Sequence, residues 1–221
     1  MNLSTCRMHA AVLTFATLFG GGALAQQQAP QSLPGGLERV QGSKVALAYV
    51  RPGTVWTKYR TILLRTLAVP ASARNTAPPG TFAPFGESYM LSDSDVATLQ
   101  SDFAKSMHDT LGNAGYTFVT TAQADTLIVA PVVTKILLNA PTYSSRELSS
   151  GMGQTFTAGA GSITIAAVMA DGASKTVIAE VKDRNYGSNI WNMNNSVTNL
   201  EQAKQAFDQW ANDLKDKLQS T

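Results

Sequence analysis

Few residue types in this chain could do chemistry, and carboxylates lead them. Two acidic groups roughly 5 to 10 Å apart can cleave a glycosidic bond, one as acid and the other as base or nucleophile. Glu180 and Asp183 lie in the stretch "VIAEVKDR", and Glu87 lies in a Pro-rich loop. Nothing in the sequence brings any particular pair together. A hydrolase using a carboxylate pair is therefore the alternative reading, beside the plainer one of solvated surface charge. Nucleophilic chemistry has less support. His108 stands beside Met107 on the flank of a helical apolar stripe, where a surface or boundary position is expected. No second histidine or cysteine stands near it at metal-ligand spacing, and no serine sits in a G-x-S-x-G elbow. Gly151 with Gly153, and Gly159 with Gly161, lack dinucleotide spacing and do not join a strand to a helix. The sequence implies no catalytic set, no metal and no cofactor.

Binding is better represented than catalysis. The segment "DRNYGSNIWNMNNSVTN", residues 183–199, sets Arg184, Tyr186 and Trp191 among asparagines. Rings stack on apolar sugar or peptide faces, and amides hydrogen-bond hydroxyls. Asparagine also favours turns and helix starts for backbone reasons, so an ordinary connection is the competing reading. Phe82 and Phe85, with Tyr89, lie in a long Pro-rich loop over residues 71–91. Loops of that length in compact domains are uncommon and often functional. Their aromatics could equally pin the loop to the core.

The elements that must position these residues follow from periodicity. "KVALAYVR" reads as a short strand ended by the turn residues Arg51-Pro52-Gly53. "YRTILLRTLAVP" is apolar on both faces and reads as a central strand. "LSDSDVATLQSDFAKSMHDTLGNAG" reads as a helix with Ser92 and Asp95 as a capping box and Gly112 or Gly115 at its end. Its stripe is Val96, Leu99, Phe103, Met107 and Leu111. "YTFVTT" is a short strand. "DTLIVAPVVTKILLNAP" is a long one, with Ile128, Ala130, Val132, Thr134, Ile136 and Leu138 on one face. Pro131 cannot donate to a ladder, so this strand is expected to bulge there or to lie at an edge. Residues 144–161 are rich in Gly, Ser and Thr and read as a mobile loop. "SITIAAVMADGASKTVIAEVKDR" is a hairpin turning near Asp171-Gly172. A last helix opens with Thr198 and Glu201 as a capping box and carries Leu200, Ala203, Phe207, Trp210, Leu214 and Leu218 on one face. Asp213 and Lys217 stand at the supportive i, i+4 spacing. Together these give an α+β fold: a two-layer sandwich with a mixed, mostly antiparallel sheet and two long amphipathic helices on one face.

The N-terminus speaks to compartment. Arg7 precedes an apolar run, and Ala23-Leu24-Ala25 offers small residues where a signal peptidase reads. The run is shorter than the roughly 20 residues that span a bilayer. Residues 1–25 are expected to be a signal peptide cleaved after Ala25, followed by a flexible tail over 26–43 and one domain over 44–221. Cys6 precedes the apolar run, the wrong place for a lipid-bearing N-terminus, and it would be lost with the signal. Losing Arg7 lowers the formal charge from +2 to +1. A nearly neutral chain without a basic cluster gives no support for nucleic-acid binding, and the mature chain has no transmembrane segment.

The ordered set "YVRPG", "LSDSDVATLQ", "LIVAPVVTKILLNAP", "AEVKDRNYG" and "FDQWANDL" resembles the bacterial family known only as domain of unknown function 3313. The resemblance covers roughly residues 45–218. It implies an envelope protein of Gram-negative bacteria, lipoprotein-like, and it supplies no catalytic residues. The expected function is an exported, periplasmic or secreted accessory or binding module. It is non-enzymatic, could sit at the outer membrane, and would have peptidoglycan or another envelope protein as partner. The alternatives are an envelope polysaccharide hydrolase and a self-assembling subunit that pairs through a sheet edge near Pro131.

Overall fold

The computed structural model describes residues 29–75, 89–138, 155–158, 161–186, 191–194 and 196–220. The strands are β1 (Ser32–Leu33), β2 (Leu37–Arg39), β3 (Leu47–Val50), β4 (Thr61–Leu64), β5 (Thr117–Phe118), β6 (Thr126–Leu137), β7 (Thr155–Ala158), β8 (Ser162–Asp171), β9 (Val177–Tyr186) and β10 (Trp191–Asn194). The helices are a single turn, α1 (Ala71–Arg74), and two long ones, α2 (Asp93–Asn113) and α3 (Ser196–Gln219). Eight strands form one sheet in the order β1-β2-β3-β9-β8-β6-β4-β5, and β10 pairs with β7 apart from it. Only β4 pairs in parallel, with β5 and β6, while its neighbours run antiparallel. The class is α+β, and the sheet is mixed and mostly antiparallel, as the sequence implies.

The long hairpin β8–β9 is the centre of the sheet, paired in one register from Ser162 opposite Tyr186 to Met169 opposite Ala179 and shifted by one residue before Ala170 meets Val177. Gly161 opens β8 at a φ of +88°. A Cβ there would overlap the Leu137 carbonyl, so glycine is required by both its angle and the close approach of β6.

Strand β6 departs from the expected pattern in three ways. It lies between β4 and β8, an interior position, so no edge at Pro131 is open for pairing with another subunit. Pro131 is tolerated because the neighbouring chain swings away there. The β4 ladder ends at Leu64 opposite Val129, and contact resumes when Ala68 N–H donates to the Pro131 carbonyl and Val133 N–H to that of Ala68. The bulge falls further along, between Val133 and Lys135. That bulge also corrects the choice of face. Leu127, Val129, Pro131 and Val133 are buried before it, and Ile136 and Leu138 after it. One extra residue reverses the alternation, so a single-parity face from Ile128 to Leu138 does not exist.

The N-terminal stretch is a second correction. Residues 32–39, read from composition as tail, form the β1–β2 hairpin at the sheet edge. Leu37 is only 2% exposed, and the Tyr49 hydroxyl donates to the Pro30 carbonyl at 2.8 Å. One well-placed leucine and a tyrosine anchor suffice to order a polar segment. Likewise β7 lies within the stretch read as a mobile loop, α1 within the Pro-rich loop, and β10 within the connection before the last helix.

Helix α2 follows its sequence signals closely. The Ser92 side chain accepts from Asp95 N–H, and Asp95 accepts from Ser92 N–H, completing the capping box. The five stripe residues are all buried. The helix gives way at Ala114, and Gly115 takes the positive φ of +91°. Ser92→Ala removes one partner of each reciprocal bond, and thermal or urea unfolding should register a loss of about 1 kcal/mol. Helix α3 starts earlier than its capping box implied. It runs from Ser196, which places Thr198 inside the first turn. Its apolar stripe is as expected, with Ala203, Phe207, Trp210, Leu214 and Leu218 all buried. The two helices pack with Phe103 edge-on to Phe207, centroids 5.4 Å apart at 88°. Ser106 Oγ donates to Asp208 beside that contact.

Candidate functional site

The face of the sheet turned toward α2 and α3 is unusually shallow in its middle. Register places Pro131, Ala167, Val181 and Ala48 in one row across β6, β8, β9 and β3. The next row is Val129, Met169, Ala179 and Val50. Small side chains fill most of these places, while the helices hold Phe103, Met107, Trp210 and Leu214 above them. A cavity of about 390 Å³ remains between the two layers of side chains. Small-molecule sites typically occupy roughly 300–1,000 Å³. A sealed void of this size would cost about 9 kcal/mol at ~24 cal/mol per Å³, as much as a whole domain's stability. This cavity is partly open rather than sealed, so solvent or a ligand can enter.

The opening is polar. Asp183 of β9, Lys44 of the segment before β3, and Asp213, Asp216 and Lys217 of α3 border it. Lys44 Nζ donates to Asp216 at 2.8 Å, tying the segment before β3 to the end of α3. Asp183 accepts from Trp210 Nε1–H at 2.6 Å and from Ala46 N–H at 2.9 Å. Burial pushes the Asp213 carboxyl above the usual range, Asp183 and Asp216 add to that, and Lys44 opposes it. The expected Asp213–Lys217 pair does not form, because the Lys217 ammonium lies over the Trp56 ring, 5.5 Å from its centroid.

The residues singled out in the sequence are distributed as follows. Asp183 faces the cavity, whereas Glu180 faces the other side of the sheet, three positions along an alternating strand. Burial raises the Glu180 carboxyl. That pair is thus separated, and Glu87 lies outside the described residues. Arg184 and Tyr186 come together on the side away from the cavity. The guanidinium sits 4.4 Å from the ring centroid and also donates to Ser162 Oγ, and Tyr186 is 64% exposed. Trp191 belongs to β10, opposite Ala158 of β7. Phe82 and Phe85 lie outside the described residues. His108 is exposed on α2 and stacks on Phe118, centroids 3.7 Å apart. Among the described residues, no three His, Cys, Asp or Glu side chains gather where they could hold a metal.

The family described as "Protein of unknown function (DUF3313)" matches residues 33–214. The chain belongs to it. The match runs from the β1–β2 edge to Leu214 of α3, taking in most of the cavity lining but not Asp216, Lys217 or Ser220. No curated protein matches the chain. Among solved structures, it is similar to a Xanthomonas campestris protein of the DUF330 family at 12% identity, TM-score 0.41, covering 75% of this chain and 87% of that one. It is also similar to the PelC dodecamer from Paraburkholderia phytofirmans at 7% identity, TM-score 0.37, covering 73% and 93%. Among the described residues of this DUF3313 chain, no helix is long and apolar enough to cross a membrane.

Alanine and valine at sheet positions that face a helix layer are the signal the sequence held for the cavity. Each reads alone as ordinary core. Only the register that lines up Pro131, Ala167, Val181 and Ala48 turns them into a recess.

Proposed function

We propose that this DUF3313 chain is an exported, non-enzymatic binding module of the cell envelope that holds a small apolar ligand between its sheet and its two long helices. The observation that carries the reading is the open, apolar-walled cavity of about 390 Å³. The signal-like residues 1–25, cleaved after Ala25, support export. Residues that would have filled the recess are small, while the rest of the core is closely packed with Leu, Phe and Ile. A binding role accounts for that contrast, because the ligand supplies the missing contacts.

The test is titration of the exported protein with N-phenylnaphthylamine, a neutral dye whose emission rises in apolar surroundings. Saturable enhancement is expected. Val181→Trp, which fills the recess from β9, should weaken it by tenfold or more, and Ala167→Leu should weaken it with less risk to folding. Absence of saturable binding, or unchanged binding in both folded variants, overturns the reading.

The exposed stack of Arg184 on Tyr186 supports a second contact surface for peptidoglycan or another envelope protein. Retention on purified peptidoglycan that Tyr186→Ala loses and Val181→Trp keeps would assign it to this surface and separate it from the cavity.

A further inference from the structure

We propose that the cavity's ligand is a single-chain amphiphile whose hydrocarbon part lies between sheet and helices and whose cationic amine head meets the Asp213 carboxylate at the mouth. This rests on the binding reading above and adds the chemical class of the ligand. The walls set the tail. Val129, Ala167, Met169 and Val181 from the sheet and Phe103 and Leu214 from the helices offer no polar partner deep in the recess, and apolar cavities favour apolar occupants over water.

The mouth sets the head. Five charged side chains border it: Lys44, Asp183, Asp213, Asp216 and Lys217. Three acids against two lysines leave it one negative charge in excess. Both lysines are engaged, Lys44 with Asp216 and Lys217 over Trp56. Asp183 already accepts from Trp210 and Ala46. Asp213 accepts no hydrogen bond from any described residue, although it is half-buried in the cavity wall. Burial pushes its carboxyl upward, and although Lys44 opposes that, Asp183 and Asp216 add to it. A partly desolvated carboxylate without a donor is costly, and a cationic head supplies both the donor and the charge. A carboxylate head would instead meet an excess of like charge.

Displacement of N-phenylnaphthylamine by dodecylamine, dodecanol and dodecanoic acid at neutral pH tests this, since the three share a chain and differ in head. Dodecylamine should displace about tenfold more tightly than dodecanol, with dodecanoic acid weakest, and added salt should shrink the spread. Asp213→Asn should abolish the amine preference and leave dodecanol unchanged. Equal or tighter displacement by the acid, or an amine preference that survives in Asp213→Asn, overturns the head-group assignment while the binding reading stands. Failure of all three chains and of the dye itself overturns both.

Discussion

Asp171→Ala should lower the stability of the fold by about 3 kcal/mol, in line with roughly 1.5–3 kcal/mol for hydrogen bonds to a charged group. It should also flatten the dependence of stability on acid. Asp171 ends β8 and is 6% exposed. Its Oδ2 accepts from Lys58 Nζ at 2.6 Å and Tyr59 Oη at 3.1 Å. Its Oδ1 accepts from the Ser174 and Ala173 N–H groups, at 2.8 and 3.1 Å, and from Ser174 Oγ. One carboxylate thus organises the β8–β9 turn and anchors the segment before β4. Alanine leaves the turn amides without their acceptor and the Tyr59 hydroxyl, on a side chain 1% exposed, without its partner. Lys58 is about half exposed, so its lost bridge adds little.

The acid dependence follows from the same bonds. Burial alone would raise the Asp171 carboxyl, but the bonds from Lys58, Ser174 and Tyr59 outweigh it and hold the group far below its usual 3.8. The folded state therefore releases this proton more readily than the unfolded chain. The stabilisation is complete above the unfolded value near 3.8 and is lost as pH falls through it toward the folded value. Urea unfolding at pH 7, 4 and 3 should show the wild type losing stability over the lower interval, with Asp171→Ala losing less. Parallel curves for the two proteins would assign the acid sensitivity to other carboxylates.

The turn at Asp171 and helix α2 were legible in the sequence because their determinants are local. A cap, a stripe at helical period and an Asp-Gly between two alternating runs each lie within a few residues. What escaped was non-local. The bulge after Val133 inverts the buried face of β6, and it shows only in the pairing of β6 with β8, a strand distant in sequence. The β1–β2 edge is ordered by contacts with Leu37 and Tyr49 that composition averages away. At the site, Asp183 was visible as an acid, but its direction was not. Strand parity and register decide that it faces the cavity while Glu180 does not. Trp210 was visible only as one member of a core stripe. Its place over the recess and its bond to Asp183 depend on how α3 crosses the sheet.

Trp210 is accordingly where stability and site meet, and Trp210→Ala should cost about 3–5 kcal/mol, the range for removing a large buried aromatic. Its ring lies 5.9 Å from that of Phe207, borders the cavity, and donates Nε1–H to Asp183 at 2.6 Å. Deletion loses the packing, enlarges a recess that is already unfilled, and leaves Asp183 with only the Ala46 N–H. Trp210→Phe separates these effects. It keeps most of the ring contact, so the remaining loss of about 1.5–3 kcal/mol reports the charge-assisted bond. A double-mutant cycle with Asp183→Asn isolates that bond, and coupling above about 1 kcal/mol is expected for partners in direct contact. Coupling near zero would mean that the indole holds its place by packing alone. Strong coupling instead keeps Asp183 committed to the protein and leaves Asp213 as the carboxylate that a ligand can claim.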